Sequence, residues 1–267
     1  MSVTPHKPRT SWQVTRSVWY ALFMREALSR TMSDRFAWFW MFAEPMLMVS
    51  IMVGIRAFGA GGLHLTAGAD FVGWSITGLL GFFLFREALT RSLGAIDSNQ
   101  ALFTYRQVHP VDTIIVRCVL EGLLKTIILI LFVILGSLLG FDIIPDSPLS
   151  VLFNWLGLWL LGTGFGLSFS ALTCVVPDIG RIVRLSTLPL LIVSGTLMPL
   201  NFLPHNILEY LMWNPILHGI ELIREGFYKT YNAVDGVSLL YFWLLSLSSI
   251  AVGLLLNISL SQRLKSI

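Results

Sequence analysis

Charge is scarce in this chain: 12% of its 267 residues are Asp, Glu, Lys or Arg, while 55% are hydrophobic. With a mean hydropathy of +0.76, that shortage excludes a soluble domain with a large core and predicts an integral membrane protein. Cysteine is nearly absent. Cys118 and Cys174 both lie in apolar runs and read as small buried hydrophobes, so neither a disulfide nor redox chemistry is implied. No G-x-x-x-x-G-K-S/T phosphate loop, no H-E-x-x-H helix and no Cys/His cluster of metal spacing occurs. On its own the chain has no usual means of binding ATP or a metal. His6, His64, His109, His205 and His218 are scattered and read as ordinary polar or interfacial residues. The net charge of +3 forms no basic face for nucleic acid. The first twenty residues lack the apolar core of a signal peptide, so the leader is expected to be retained, on the cytoplasmic side.

What is present is a run of apolar stretches. Residues 1–35 predict a cytoplasmic leader ending in an amphipathic interface helix, Trp12 to Arg35, in which Arg16, Arg25, Arg30 and Arg35 interleave with apolar residues. Val18, Trp19, Leu22 and Phe23 share one arc of that helix, but Glu26 interrupts it. Residues 36–267 predict an all-α domain of six membrane spans. The first, Phe36 to Phe58, opens on Trp38, Phe39, Trp40 and Phe42, read either as interfacial anchors or as a sugar-stacking surface. Glu44-Pro45 inside this span predicts a carboxylate turned toward protein or water.

The remaining spans are Phe71 to Leu89, Thr113 to Gly140, Val151 to Val176, Leu185 to Leu200 and Leu239 to Leu260. Between the second and third, residues 94–110 are too polar to cross a membrane and predict a short helix and turn on which a partner could dock. Glu121 and Lys125 in the third span are four residues apart on one helix face. They read either as an intrahelical ion pair that eases insertion or as part of a pathway lining. The fourth span carries Trp155 and Trp159 on one face, with Gly157, Gly162, Gly164 and Gly166 allowing close helix approach. Its GTGFG run is no dinucleotide fingerprint, because no strand precedes it.

The stretch from Ser194 to Lys229 is neither a span nor a simple loop. Its apolar pieces, Phe202 to Trp213 and Pro215 to Ile223, fall short of the ~20 residues a crossing helix needs. Pro199, Pro204 and Pro215 interrupt it, which predicts two short re-entrant helices within about residues 201–229, meeting at Asn214-Pro215. The distribution of Lys and Arg places the leader, the second-to-third link, Arg181, Arg184 and the tail on one side, with Arg56, Arg224 and Lys229 on the other. By the positive-inside rule both termini are cytoplasmic and the broken stretch is outside. A membrane enzyme would need converging acid and base groups. Glu44, Glu121, Glu221 and Glu225 are embedded or near the membrane, but lie apart in the chain without a histidine at useful spacing. These are the parts of a pathway that something else drives.

Leu102 to Glu121 (LFTYRQVHPVDTIIVRCVLE), Pro177-Asp178, Ser194-Gly195, Pro199, Leu203-Pro204, Asn214-Pro215 and Glu221-x-x-Arg224 together resemble the membrane subunits of type 2 ABC exporters. Within them the chain is most similar to the capsular polysaccharide export permeases, over nearly its whole length. The resemblance implies a non-enzymatic permease of the bacterial inner membrane, paired with a second copy of itself and with two ATPase subunits that hold the ATP and Mg. Lipid-linked polysaccharide would pass between the two permeases toward a periplasmic adaptor and an outer-membrane channel. O-antigen, teichoic acid or another lipophilic cargo is the alternative. The resemblance makes Gly94 to Tyr105 a coupling helix, with Asp97, Asn99, Gln100, Phe103, Tyr105 and Arg106 as the residues meeting the ATPase. It makes Pro204, Asn214, Pro215, Glu221 and Arg224 the markers of the re-entrant segment. An anionic polymer would need a basic lining, for which Lys125, Arg181 and Arg184 are candidates. Trp38, Trp40, Trp155 and Trp159 are candidate stacking surfaces, and Glu44 and Glu121 complete the expected path.

Overall fold

The computed structural model describes residues 10–33, 36–58, 68–200 and 203–261. The described residues form α-helices and one 3-10 helix, without a β-strand: α1 (Ser11–Ser33), α2 (Ala37–Phe58), α3 (Phe71–Ser92), the 3-10 helix (Asp97–Thr104), α4 (Pro110–Leu138), α5 (Pro148–Val175), α6 (Pro177–Val193), α7 (His205–Leu211), α8 (Pro215–Phe227) and α9 (Leu239–Ser259). Proline sets several of these boundaries. Pro110, Pro148, Pro177 and Pro215 each stand in the first turn of a helix, where a missing N–H costs nothing and the fixed φ is already helical.

Helices α3, α4, α5 and α9 are long and apolar enough to cross a membrane. Helix α2 (Ala37–Phe58) coincides with the first predicted span, whereas the fifth differs from expectation in form. The predicted span from Leu185 to Leu200 is instead a 17-residue helix that starts at Pro177 and ends at Val193, so Arg181 and Arg184 lie inside a helix and not in a link. The shift has a local cause: Pro177 nucleates the helix eight residues early, and Gly195, with φ of +67°, turns the chain at its end.

Helix α3 is the hub, packed against α2, α4, α5 and α8. Phe71, Trp74, Leu79, Leu80 and Phe82 to Phe85 are all buried. Helix α5 lies between α3 and α9, and its small residues set how near these can come. A Cβ on Gly164 would stand 2.1 Å from Ser249 Oγ and 2.6 Å from the backbone nitrogen of Ile250, so α5 and α9 touch backbone to backbone there. The outward faces are apolar: Leu123, Ile127, Ile130 and Ile134 form an exposed stripe on α4, at the spacing of one helix face. Helices that satisfy their own backbone and present an apolar outside are the arrangement a lipid solvent demands.

Candidate coupling and translocation site

Two buried polar assemblies hang on α3, one near each end. The first surrounds its last turns. Glu87 is shared between neighbours: its Oε1 accepts from Arg86 Nη2 at 2.8 Å and its Oε2 from Arg91 Nε at 3.1 Å. Arg86 Nη2 also donates to Glu44 of α2 at 2.6 Å, and its guanidinium lies over the Phe83 ring. From α4, buried Glu121 approaches Arg91 at 3.4 Å, and buried Lys125 lies with its Nζ 5.8 Å from the Phe83 centroid. Buried charges such as Glu87, Glu121 and Lys125 persist only when paired, and here the pairing runs from α3 to both α2 and α4.

Arg117 of α4 extends this layer outward. Its Nε lies 2.9 Å from Glu26 Oε1 of α1, and its Nη2 donates to the other Glu26 oxygen at 3.1 Å. The same guanidinium donates to the Arg91 carbonyl and to Ser98 Oγ in the 3-10 helix. One side chain thus joins α1, α3, α4 and the segment expected to meet an ATPase. A second tie holds α1 to α4: Trp19 Nε1 donates to Asp112 Oδ1 at 2.8 Å, while the other Asp112 oxygen accepts from the His109 backbone N–H and caps α4.

The second assembly is buried deeper. Asn214 caps α8 by accepting from the Ile216 N–H, and Pro215 follows at its start. Along α8, Glu221 and Arg224 pair at 2.8 Å with both side chains essentially fully buried. Arg224 Nη1 also donates to the Gly195 carbonyl at the end of α6, and its guanidinium carbon stands 3.7 Å from the Trp74 ring centroid. Its Nε and Nη2 have no hydrogen-bond partner among the described residues, so the indole face takes the place of acceptors there. Tyr231 donates to the second Glu221 oxygen at 2.9 Å and accepts from Trp74 Nε1 at 3.3 Å. Burial pushes the Tyr231 hydroxyl up to about 12, in the same direction as its role as a protonated donor to Glu221. Gly78 is what admits the guanidinium to α3, since a Cβ there would lie 2.2 Å from Arg224 Nη2.

His218 ties α8 to its flanks. The Ser238 N–H donates to its Nδ1, so that nitrogen carries no proton and Nε2 must donate to the Met212 carbonyl at 2.8 Å. Burial lowers the pKa of this ring, consistent with a neutral bridge between the end of α7 and the start of α9.

The predicted residues are distributed as follows. In the coupling segment, Asp97, Gln100, Tyr105 and Arg106 are exposed and Phe103 is half-buried, whereas Asn99 turns inward and donates to the Ala95 carbonyl. Of the path candidates, Glu44, Glu121 and Lys125 join the first assembly and Arg184 borders it. Arg181 is exposed and pairs with Asp178. Trp40 is exposed, while the side chain of Trp38 lies outside the described residues. Trp155 and Trp159 face inward: their indole N–H groups donate to Thr126 Oγ1 and the Cys118 carbonyl, fastening α5 to α4. Pro204 precedes α7, and Asn214, Pro215, Glu221 and Arg224 build the second assembly. Arg86, Glu87, Trp74 and Tyr231 were not named as site residues from the sequence, and Glu26 was noted only as interrupting an apolar arc. Two signals marked some of them: the acidic break in the apolar arc of α1, and the Glu87-Arg91 spacing of four within an apolar run.

The family described as ABC-2 type transporter matches residues 17–228. The chain is 33% identical over 249 residues to the polysialic acid transport protein KpsM of Escherichia coli, covering 93% of this chain and 95% of that one. It is 29% identical over 218 residues to the capsule polysaccharide export inner-membrane protein CtrC of Neisseria meningitidis serogroup B, 82% of each chain. With the capsule polysaccharide export inner-membrane protein BexB of Haemophilus influenzae it shares 28% identity over 218 residues, 80% of this chain and 82% of the other.

Proposed function

Because this chain belongs to the ABC-2 type transporter family, we propose that it is the permease subunit of an ATP-driven exporter of lipid-linked capsular polysaccharide across the bacterial inner membrane. The observation that carries this reading is the near full-length similarity to KpsM, together with similarity to two capsule export proteins from other genera. In this reading α2 and α6 cross the membrane beside α3, α4, α5 and α9, giving six spans with both termini in the cytoplasm. Helices α7 and α8 are then re-entrant from the periplasmic side. Two copies assemble with two separate ATPase subunits that bind ATP and Mg, and the polymer passes on to a periplasmic adaptor and an outer-membrane channel.

The geometry supplies a mechanical route. An ATPase pressing on the exposed side of the 3-10 helix moves Ser98, and Arg117 carries that displacement to α1, α3 and α4 together. About 12 Å along α3, counting 1.5 Å per residue from Arg86 to Gly78, the second assembly joins the same helix to α8 and the end of α6. Helix α3 is therefore a rigid lever between the coupling segment and the outer broken segment.

Deleting the gene in its native host tests the reading. Staining of intact and permeabilised cells is expected to find polymer made but held inside. Absence of polymer altogether would favour a role in synthesis, and surface polymer without a redundant transporter would remove the capsule assignment.

A further inference from the structure

A cavity of about 500 Å³ opens between α3, α4 and α6, walled by Arg86, Arg91, Arg117, Arg184, Glu87 and Thr187 among others. Its donors outnumber its acceptors. Glu87, the carboxylate in the wall, has both oxygens already engaged by Arg86 and Arg91. Arg86 makes its hydrogen bonds through Nη2, and Arg91 its side-chain contacts through Nε. The remaining nitrogens of both forks have no protein acceptor among the described residues. Arg184 has no ion pair at all among the described residues, and its side chain enters the wall from α6. Glu44, Glu121 and Glu26 pair Arg86, Arg91 and Arg117 from outside the wall, which leaves Arg184 as the cation to meet an anion that offers several oxygens at once, with the unused nitrogens of Arg86 and Arg91 beside it.

The neighbourhood of Arg184 says which kind of anion. Leu185 and Leu188, adjacent and one turn on, are 70% and 66% exposed, and Ile192 a further turn on is 59% exposed. An anion seated on Arg184 thus has an apolar track running away along α6, the combination a lipid presents. We infer that this cavity holds the phosphate of an anionic lipid headgroup, with Arg184 as its main contact, Arg86 and Arg91 lending their free nitrogens, and the acyl chains lying along α6. The assignment deepens the export reading, on which it rests for the identity of the arriving lipid, but the site itself stands on the cavity.

The test is titration of spin-labelled phosphatidylglycerol onto the full-length chain in phosphatidylcholine nanodiscs. The wild-type chain is expected to immobilise it, and Arg184→Gln to weaken that binding about tenfold or more, the scale of a lost charge-assisted contact. Arg184→Lys should recover part of it, and Lys229→Gln, exposed beyond the end of α8, should bind as wild type. Arg184→Gln binding within about twofold of wild type would overturn the site. Equal immobilisation of labelled phosphatidylcholine would overturn its anion chemistry. Glycerol phosphate serves as the soluble competitor: displacement needing a large excess supports a lipid occupant, and displacement at concentrations equal to the lipid would mean a free-anion site instead. Surface polymer is scored separately in the same variants. Lipid binding without export would defeat the export reading alone, and export with undiminished binding in Arg184→Gln would defeat the site alone.

Discussion

The guanidinium carbon of Arg224 stands 3.7 Å from the Trp74 ring centroid, and its Nη1 lies 2.8 Å from Glu221 Oε1. A cation has been placed in an apolar interior with one carboxylate, one carbonyl and one aromatic face to hold it, so the arrangement is sensitive to loss of any member.

Arg224→Ala leaves Glu221 buried without its counterion and should destabilise the solubilised protein by about 3–5 kcal/mol. Glu221→Gln should cost a comparable amount, and the double variant less than the sum of the two. Thermal unfolding followed by size-exclusion recovery measures this. Strict additivity would show that the pair is not coupled.

Gly78→Ala drives a methyl group into Arg224 Nη2, whereas at Gly81, one turn along α3, an added Cβ meets its nearest neighbour, Leu158 Cδ2, at an ordinary 3.5 Å. The first substitution should cost about 1–3 kcal/mol and the second much less. Comparable thermal stability of the two variants would contradict the placement of the guanidinium.

His218 adds a pH dependence. The folded protein holds its pKa below the usual value near 6.5, so the unfolded chain binds a proton first as pH falls. The stability from the neutral bridge is fully present above about pH 6.5 and is lost as pH falls toward the lowered folded value, by at most about 1.4 kcal/mol per unit. Unfolding temperatures between about pH 7.5 and pH 5.5 should show the decline, and His218→Gln should flatten it. An unchanged slope in the variant would assign the effect to other groups.

Arg117→Ala should disconnect the 3-10 helix from α1 and α3. In the assembled transporter the expected result is ATP hydrolysis near the wild-type rate with export reduced about tenfold, because the cut falls between the driven segment and the spans. Glu26→Gln should produce a milder form of the same phenotype. Equal loss of hydrolysis and export would place Arg117 in subunit assembly instead.

Much of the fold was legible because apolar length and proline position act locally. Pro215 after Asn214 begins α8 as expected, and α3, α4, α5 and α9 fall close to the predicted limits. The start of α6 was misplaced because Arg181 and Arg184 were read as a link before a span beginning at Leu185, although Pro177 had already begun a helix that carries them. The site was less legible, since partnership across helices leaves no periodic trace. Glu121 has Lys125 four residues away yet reaches Arg91, and Glu26, which spoiled the apolar arc of α1, is there for Arg117. Trp155 and Trp159 share a face as their spacing requires, but that face is turned to α4, where each finds an acceptor.

The most direct measurement is transport by the purified permease and its ATPase partner in sealed vesicles, with lipid-linked capsular polymer supplied on the ATPase side. ATP should make the polymer accessible to a polymer-degrading enzyme confined to the opposite side, and a non-hydrolysable ATP analogue should not. ATP hydrolysis without any polymer reaching that side, in vesicles that remain sealed and carry intact complex, would contradict the account.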